Sequence, residues 1–239
     1  MAKGERRAPR PTNGRQPLPP PLPPGERTVG QLVAEALRLY GRRFWPSLAL
    51  GVGPAAAGVG LAFIPGLAQL AFALTAGALL VTASYVGACL LAAEASLSTG
   101  RIPAVAAAGV LMLLPVPFLA SLFIFPAVAW LALLGFAVPA IVLEGRGFRA
   151  AFRRSLELAR ADYVHALGGL ATLVLTGLLT ATVLFFLLRG QGEATLNGAA
   201  FLSVLIISPL LFLGAALLYF DQVARVERPR TRVSRRWRS

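Results

Sequence analysis

The residues able to do chemistry in this chain are few, and they gather in a small number of places. Glu144, Arg146, Arg153, Arg154 and Ser155 share one short segment, and Asp221 and Arg225 stand four apart near the C-terminus. A carboxylate among guanidinium groups can form a switchable ion-pair latch or a polar gate. The same set can instead act as a hinge, with the acid capping a helix while the arginines contact lipid phosphates. Charges at mid-membrane would demand a functional account, but Glu94, Glu144, Asp162 and Asp221 all fall near the ends of apolar stretches. A proton-relay transporter therefore lacks its expected intramembrane carboxylate.

A second constellation is uncharged. Gly168, Thr172, Thr176 and Thr180 recur at i, i+4, which places them on one face of a helix. Such a stripe can line a substrate path or serve as a helix-packing seam, because threonine hydroxyls also bond back to their own helix. His165 is the one histidine of the chain, and Cys89 the one cysteine. With no Cys/His/Asp/Glu cluster around them, neither a zinc site nor a thiol pair is expected. No Ser-His-acid arrangement and no phosphate-cradling glycine motif is legible, so the expectation is no enzyme, no cofactor and no metal.

The elements that must position these residues follow from composition. Of 239 residues, 56% are hydrophobic and 14% charged, and the mean hydropathy is +0.70. A soluble domain carries roughly a quarter of its residues charged. The deficit implies that lipid replaces water over most of the surface, and a helical span needs about 20 apolar residues. The expected fold is all-α, an integral membrane bundle of about six transmembrane helices. The spans are expected near 47–64, 67–93, 104–118, 121–143, 164–188 and 198–220, with Pro115, Pro117 and Pro126 setting the turn between the third and fourth. Nothing has the alternating period of a β-barrel.

Two amphipathic helices are expected to lie in the membrane interface. In 29–44, Leu32, Val33, Ala36, Leu37 and Tyr40 recur on one face, and Thr28 with Gln31 makes a capping box. In 147–163, Phe148, Ala151, Phe152, Ser155, Leu156 and Ala159 fall on one face, with Arg149, Arg153, Arg154, Glu157 and Arg160 elsewhere. Residues 1–27 are basic and proline-rich and are expected to form a disordered tail, either a stiff spacer with some affinity for anionic lipid or a polyproline II stretch that docks an aromatic-lined groove. Residues 229–239 form a basic tail.

The net charge of +13 takes its meaning from placement. Arginine outnumbers lysine 22 to 1, a bias expected of a high-GC bacterial genome. With six spans, only Arg189 of the basic residues would lie outside, so the positive-inside rule puts both termini and the central segment in the cytoplasm. The expected partners are a bilayer with anionic headgroups and a further protein, and nucleic acid is not expected.

Three segments, "TVGQLVAEALRLYGRRFW", "PAIVLEGRGFRAAFRRSLELAR" and "LLYFDQVARVE", together resemble a known family over about 28–228. It is the polytopic membrane domain associated with glycerophosphoryl diester phosphodiesterases, with its stand-alone bacterial relatives. The most specific part is Pro139, Glu144, Gly145 and the Arg154–Ser155 pair. Val223 stands where the family usually carries another arginine, and Arg228 where a glycine follows the acid. The resemblance implies a six-helix membrane module. It does not imply hydrolysis, which in those relatives belongs to a separate soluble barrel for which this chain has no room. The expected function is a scaffold or accessory subunit, and the alternative is a small-molecule transporter or lipid-handling protein.

Overall fold

The computed structural model describes residues 23–227, which are helical apart from short connections. The tail expected over 1–27 falls outside the described residues except for 23–27, and the tail at 229–239 lies wholly outside them. Six helical stretches are long and apolar enough to cross a membrane: Phe44–Phe63, Gly66–Ala93, Thr99–Leu122, Ile124–Val142, Tyr163–Leu188 and Glu193–Glu227. Such a set fits a multi-pass membrane protein.

The chain begins with α1 (Val29–Arg42), capped by Thr28 and Gln31 in a reciprocal box. The first candidate span comprises α2 (Phe44–Ala49) and α3 (Val52–Phe63), and the chain then turns at Pro65 and Gly66. The second is α4 (Gly66–Phe72), a π-helical turn and α5 (Ala78–Ala93), ending at Glu94, which pairs with Arg43. The third contains α6 (Ile102–Leu113) and α7 (Val116–Leu122), and the fourth α8 (Ile124–Leu134) and α9 (Ala137–Val142). Then come α10 (Phe148–Ala161), α11 (Tyr163–Leu188) and α12 (Glu193–Glu227).

Several boundaries differ from those expected from the sequence, including starts at Phe44 rather than 47 and at Thr99 rather than 104; two have a local physical reason. The fourth stretch starts at Ile124 rather than 121, because Pro115 and Pro117 open α7 instead of ending the span. The reversal falls at Phe123, in extended conformation, just before Pro126 in the first turn of α8. The last helix starts at Glu193 rather than 198, where an acid meets the positive end of the helix dipole. It continues to Glu227, making α12 35 residues long. At 1.5 Å per residue this is about 52 Å, well beyond the hydrocarbon thickness.

α12 is the organising element and touches α11, α5, α1, α3 and α10. Neither of the two helices expected at the interface stands apart from the bundle. α1 runs antiparallel along α12: Arg27 reaches Asp221 at one end, Tyr40 donates to the Ile206 carbonyl at the other, and Leu32 and Ala36 are buried between. α10 lies along the fourth stretch, with Arg154 at Glu144, Ser155 at Leu133 and the following Tyr163 at Ala129.

Prolines and helix breaks leave backbone carbonyls without their intrahelical donors, and an apolar surrounding cannot satisfy them. Side chains of neighbouring helices supply the missing donors. Pro139 lacks the N–H that would serve Gly135, and the Tyr85 hydroxyl donates to that carbonyl at 3.2 Å. At the α6–α7 break the Trp130 indole donates to Met112 at 2.9 Å, and at the α8–α9 break Ser155 donates to Leu133 at 2.7 Å. Pro209 frees the Leu205 carbonyl, against which Gly51 packs so closely that a Cβ at this position would overlap the oxygen. The breaks therefore fix which helices must be neighbours.

Candidate functional site

The charged residues converge on the last turns of α12 in two adjacent clusters. The first centres on Glu144, immediately after α9. Its Oε1 accepts from the Tyr219 hydroxyl and, at 3.2 Å, from Arg154 Nε, while Arg146 donates to Oε2. Arg154 also meets Glu227 at 3.5 Å and Glu157 at 3.9 Å. The Arg154 side chain is 9% exposed and that of Glu144 22%, so the pair is largely shielded from water. Gly145 holds the turn at a positive φ, and the Arg101 guanidinium lies against it. Partial burial pushes the Glu144 carboxyl up, but hydrogen bonds from Tyr219, Arg146 and Arg154 outweigh it and hold the group below the usual carboxylate value.

The structure corrects the expected pattern of α10 at Arg154, which is buried rather than on the polar face because Glu144 lies beside it. Arg154 and Ser155 fall with Ala151 and Leu158 on the buried face, so the guanidinium turns toward Glu144 and the hydroxyl toward α8. Arg153, one position earlier, stands on the exposed face with Arg149 and Arg160. The five residues expected to cluster there thus divide: Glu144, Arg146 and Arg154 meet, Ser155 turns to the Leu133 carbonyl, and Arg153 points away.

The second cluster centres on Asp221, which is fully buried. Its Oδ1 lies 3.3 Å from Arg27 Nη1, and His165 Nε2 is 4.0 Å from Oδ2, which is buried without a hydrogen-bond partner. Arg225 donates to Asp162 Oδ2 at 2.7 Å and to the Arg27 carbonyl at 3.3 Å, and its Nη2 lies 3.3 Å from both His165 ring nitrogens. Gln222 donates to the Asp162 carbonyl at 3.2 Å, and Asp162 caps α11 by accepting from the His165 N–H. Asp221 and Arg225 therefore bind the segment before α1 and the α10–α11 junction, whereas Tyr219 and Glu227 of the same helix serve Glu144. Gly25, at φ 86, permits the close approach of that segment to Ala224.

The threonine stripe is closed on itself. Thr172, Thr176 and Thr180 each donate at 2.8 Å to the carbonyl four residues earlier. A Cβ at Gly168 would meet nothing within 4 Å. Close packing with α12 occurs on the adjacent face, where Gly169 meets Leu218 and Leu173 meets Gly214.

Tyr219, Arg27, Asp162, His165, Gln222 and Arg101 were not among the residues marked as a site from the sequence. Glu227 belongs to the third segment of the family resemblance, and the i, i+4 pairing of Asp221 with Arg225 carried a signal for that cluster. The approach of Arg27 across 194 positions carried none. Among the described residues no three His, Cys, Asp or Glu side chains are grouped as metal ligands. No family model, curated protein or solved structure matches the chain.

Proposed function

We propose that the protein is a non-enzymatic polytopic membrane protein, a scaffold or accessory subunit whose contact surface is the basic end of the bundle. The observation that carries this reading is the division of labour among the arginines of α10. Arg154 is turned inward and consumed in ion pairs, while Arg149, Arg153 and Arg160 share the outward face. The inner residue holds the helix in place, and the outer three are free of that task. They suit anionic headgroups at a cytoplasmic surface, where both termini would also lie by the positive-inside rule.

Each arginine near such a surface contributes about 1 kcal/mol, so the stripe amounts to about 3 kcal/mol, or roughly a hundredfold in lipid preference. The test is native mass spectrometry of protein released from mixed phosphatidylcholine and phosphatidylglycerol nanodiscs. Parent protein should retain phosphatidylglycerol preferentially, and the Arg149→Gln/Arg153→Gln/Arg160→Gln variant should lose that preference. Equal retention by both proteins would sink the reading.

A lipid-handling role is the second reading, and an apolar cavity between the helices favours it. Transport of a polar solute is less well supported, because the threonine hydroxyls of α11 are spent within their own helix.

A further inference from the structure

Between α5, α6, α8, α11 and α12 lies a half-open cavity of about 190 Å³. Helix interiors otherwise pack without voids of this size, and its origin is visible in the chain. The fourth stretch breaks at Gly135 and Phe136, and the missing ladder there leaves space that Ala132 and Ala215 are too small to fill. An apolar cavity of roughly 150 Å³ already stays dry and takes up benzene. Water is therefore a poor occupant here.

The wall also excludes a polar ligand. Its only side-chain polar groups are the hydroxyls of Thr82 and Tyr85. Thr82 donates to the Ala78 carbonyl at 2.7 Å and Tyr85 to the Gly135 carbonyl at 3.2 Å. Both hydroxyl protons are committed to backbone, so no side-chain donor remains to recognise a headgroup, a sugar or an ion. Everything else on the wall is hydrocarbon, aromatic ring, glycine or the Met112 thioether, which donates no hydrogen bond.

We infer that this cavity is a binding site for one hydrocarbon chain of a membrane phospholipid. The inference rests on reading the six helices as membrane-spanning, which places the half-open cavity among acyl chains, the abundant species there of matching chemistry. A lipid in this position is held by its tail, against a wall that includes Phe136 and Phe212, rather than by its phosphate. It differs from the lipid that coats the outer surface of α11, where Leu178, Leu179 and Phe186 are exposed.

The test uses the full chain in proteoliposomes containing phosphatidylglycerol with a mid-chain diazirine, irradiated and mapped by peptide mass spectrometry. Adducts are expected both at the exposed face of α11 over 178–187 and at the cavity wall over 131–136 and 211–218. As the labelled lipid fraction rises, cavity adducts should saturate while those on α11 rise in proportion. In Ala132→Phe and Ala215→Phe the cavity adducts should be lost and the α11 adducts kept. Labelling on α11 without saturable labelling of the wall would overturn the inference. Absence of labelling on α11 would instead overturn the membrane reading itself. The saturation curve of the parent protein decides the matter even if neither variant folds.

Discussion

Replacing Glu144 by glutamine tests the hub with the least change of shape. The amide can still accept from Tyr219, but Arg154 loses its buried counter-charge. The acids that remain near Arg154, Glu227 at 3.5 Å and Glu157 at 3.9 Å, are 66% and 53% exposed. Breaking a fully buried pair by removing one partner costs about 3–5 kcal/mol, whereas exposed pairs contribute about 0–1 kcal/mol. The 9% and 22% exposure of Arg154 and Glu144 places this pair nearer the buried limit, and the two remaining acids soften the loss. The expected destabilisation is about 2 kcal/mol, roughly a thirtyfold fall in the folded-to-unfolded ratio. It would be read from detergent-denaturant titration of the purified protein. A double-mutant cycle with Arg154→Met should then show the two losses falling short of additivity by about 1 kcal/mol or more. Additivity within about 0.3 kcal/mol would refute the claim that Glu144 and Arg154 act as one unit.

The remaining predictions concern the same contacts. Because the Glu144 carboxyl is held below its ordinary value of 4.5, its contribution to stability is complete above that value. It is lost as pH falls through the lower folded value, so the acid limb of a pH–stability profile should flatten in Glu144→Gln. Tyr85→Phe leaves the Gly135 carbonyl without its donor and should destabilise by about 1–3 kcal/mol in the same titration. Gly51→Ala should destabilise strongly, since its Cβ would overlap the Leu205 carbonyl, whereas Gly168→Ala should be neutral or slightly stabilising because its Cβ meets open space. Asp221→Ala removes the carboxylate that pairs with Arg27, and tryptic cleavage after Arg27 should accelerate relative to the parent protein.

The sequence carried the number and approximate limits of the apolar helices because twenty residues without charge have few other fates. The Thr28–Gln31 box was equally legible, since its chemistry is local. Proline was harder to read: Pro115 looks like a terminator, yet together with Pro117 it opens a new helix within the same stretch, and the reversal comes at Phe123. The site was legible where its partners are close in the chain, as with Glu144, Arg146 and Arg154. It was not legible where α12 gathers remote segments, because nothing local in Arg27 or Asp162 announces Asp221 or Arg225. Nor does periodicity distinguish Arg153 from Arg154 until the partner of α10 is known. The threonine stripe shows the limit of spacing as evidence, since the same period that aligns hydroxyls on one face also lets each bond back to its own helix.

The proposed function requires the basic end of the bundle to face the cytoplasm, with the Arg149–Arg153–Arg160 face at the membrane surface. Cysteine accessibility measures this directly, because Cys89 is fully buried and can be replaced by alanine to give a background without reactive thiols. Single cysteines would be placed at Gln191, in the connection between α11 and α12, and at Arg153, and probed with a membrane-impermeant maleimide on intact cells. The account predicts labelling of Gln191→Cys from outside, and of Arg153→Cys only after permeabilisation. Labelling of Arg153→Cys on intact cells, with Gln191→Cys protected, would contradict it.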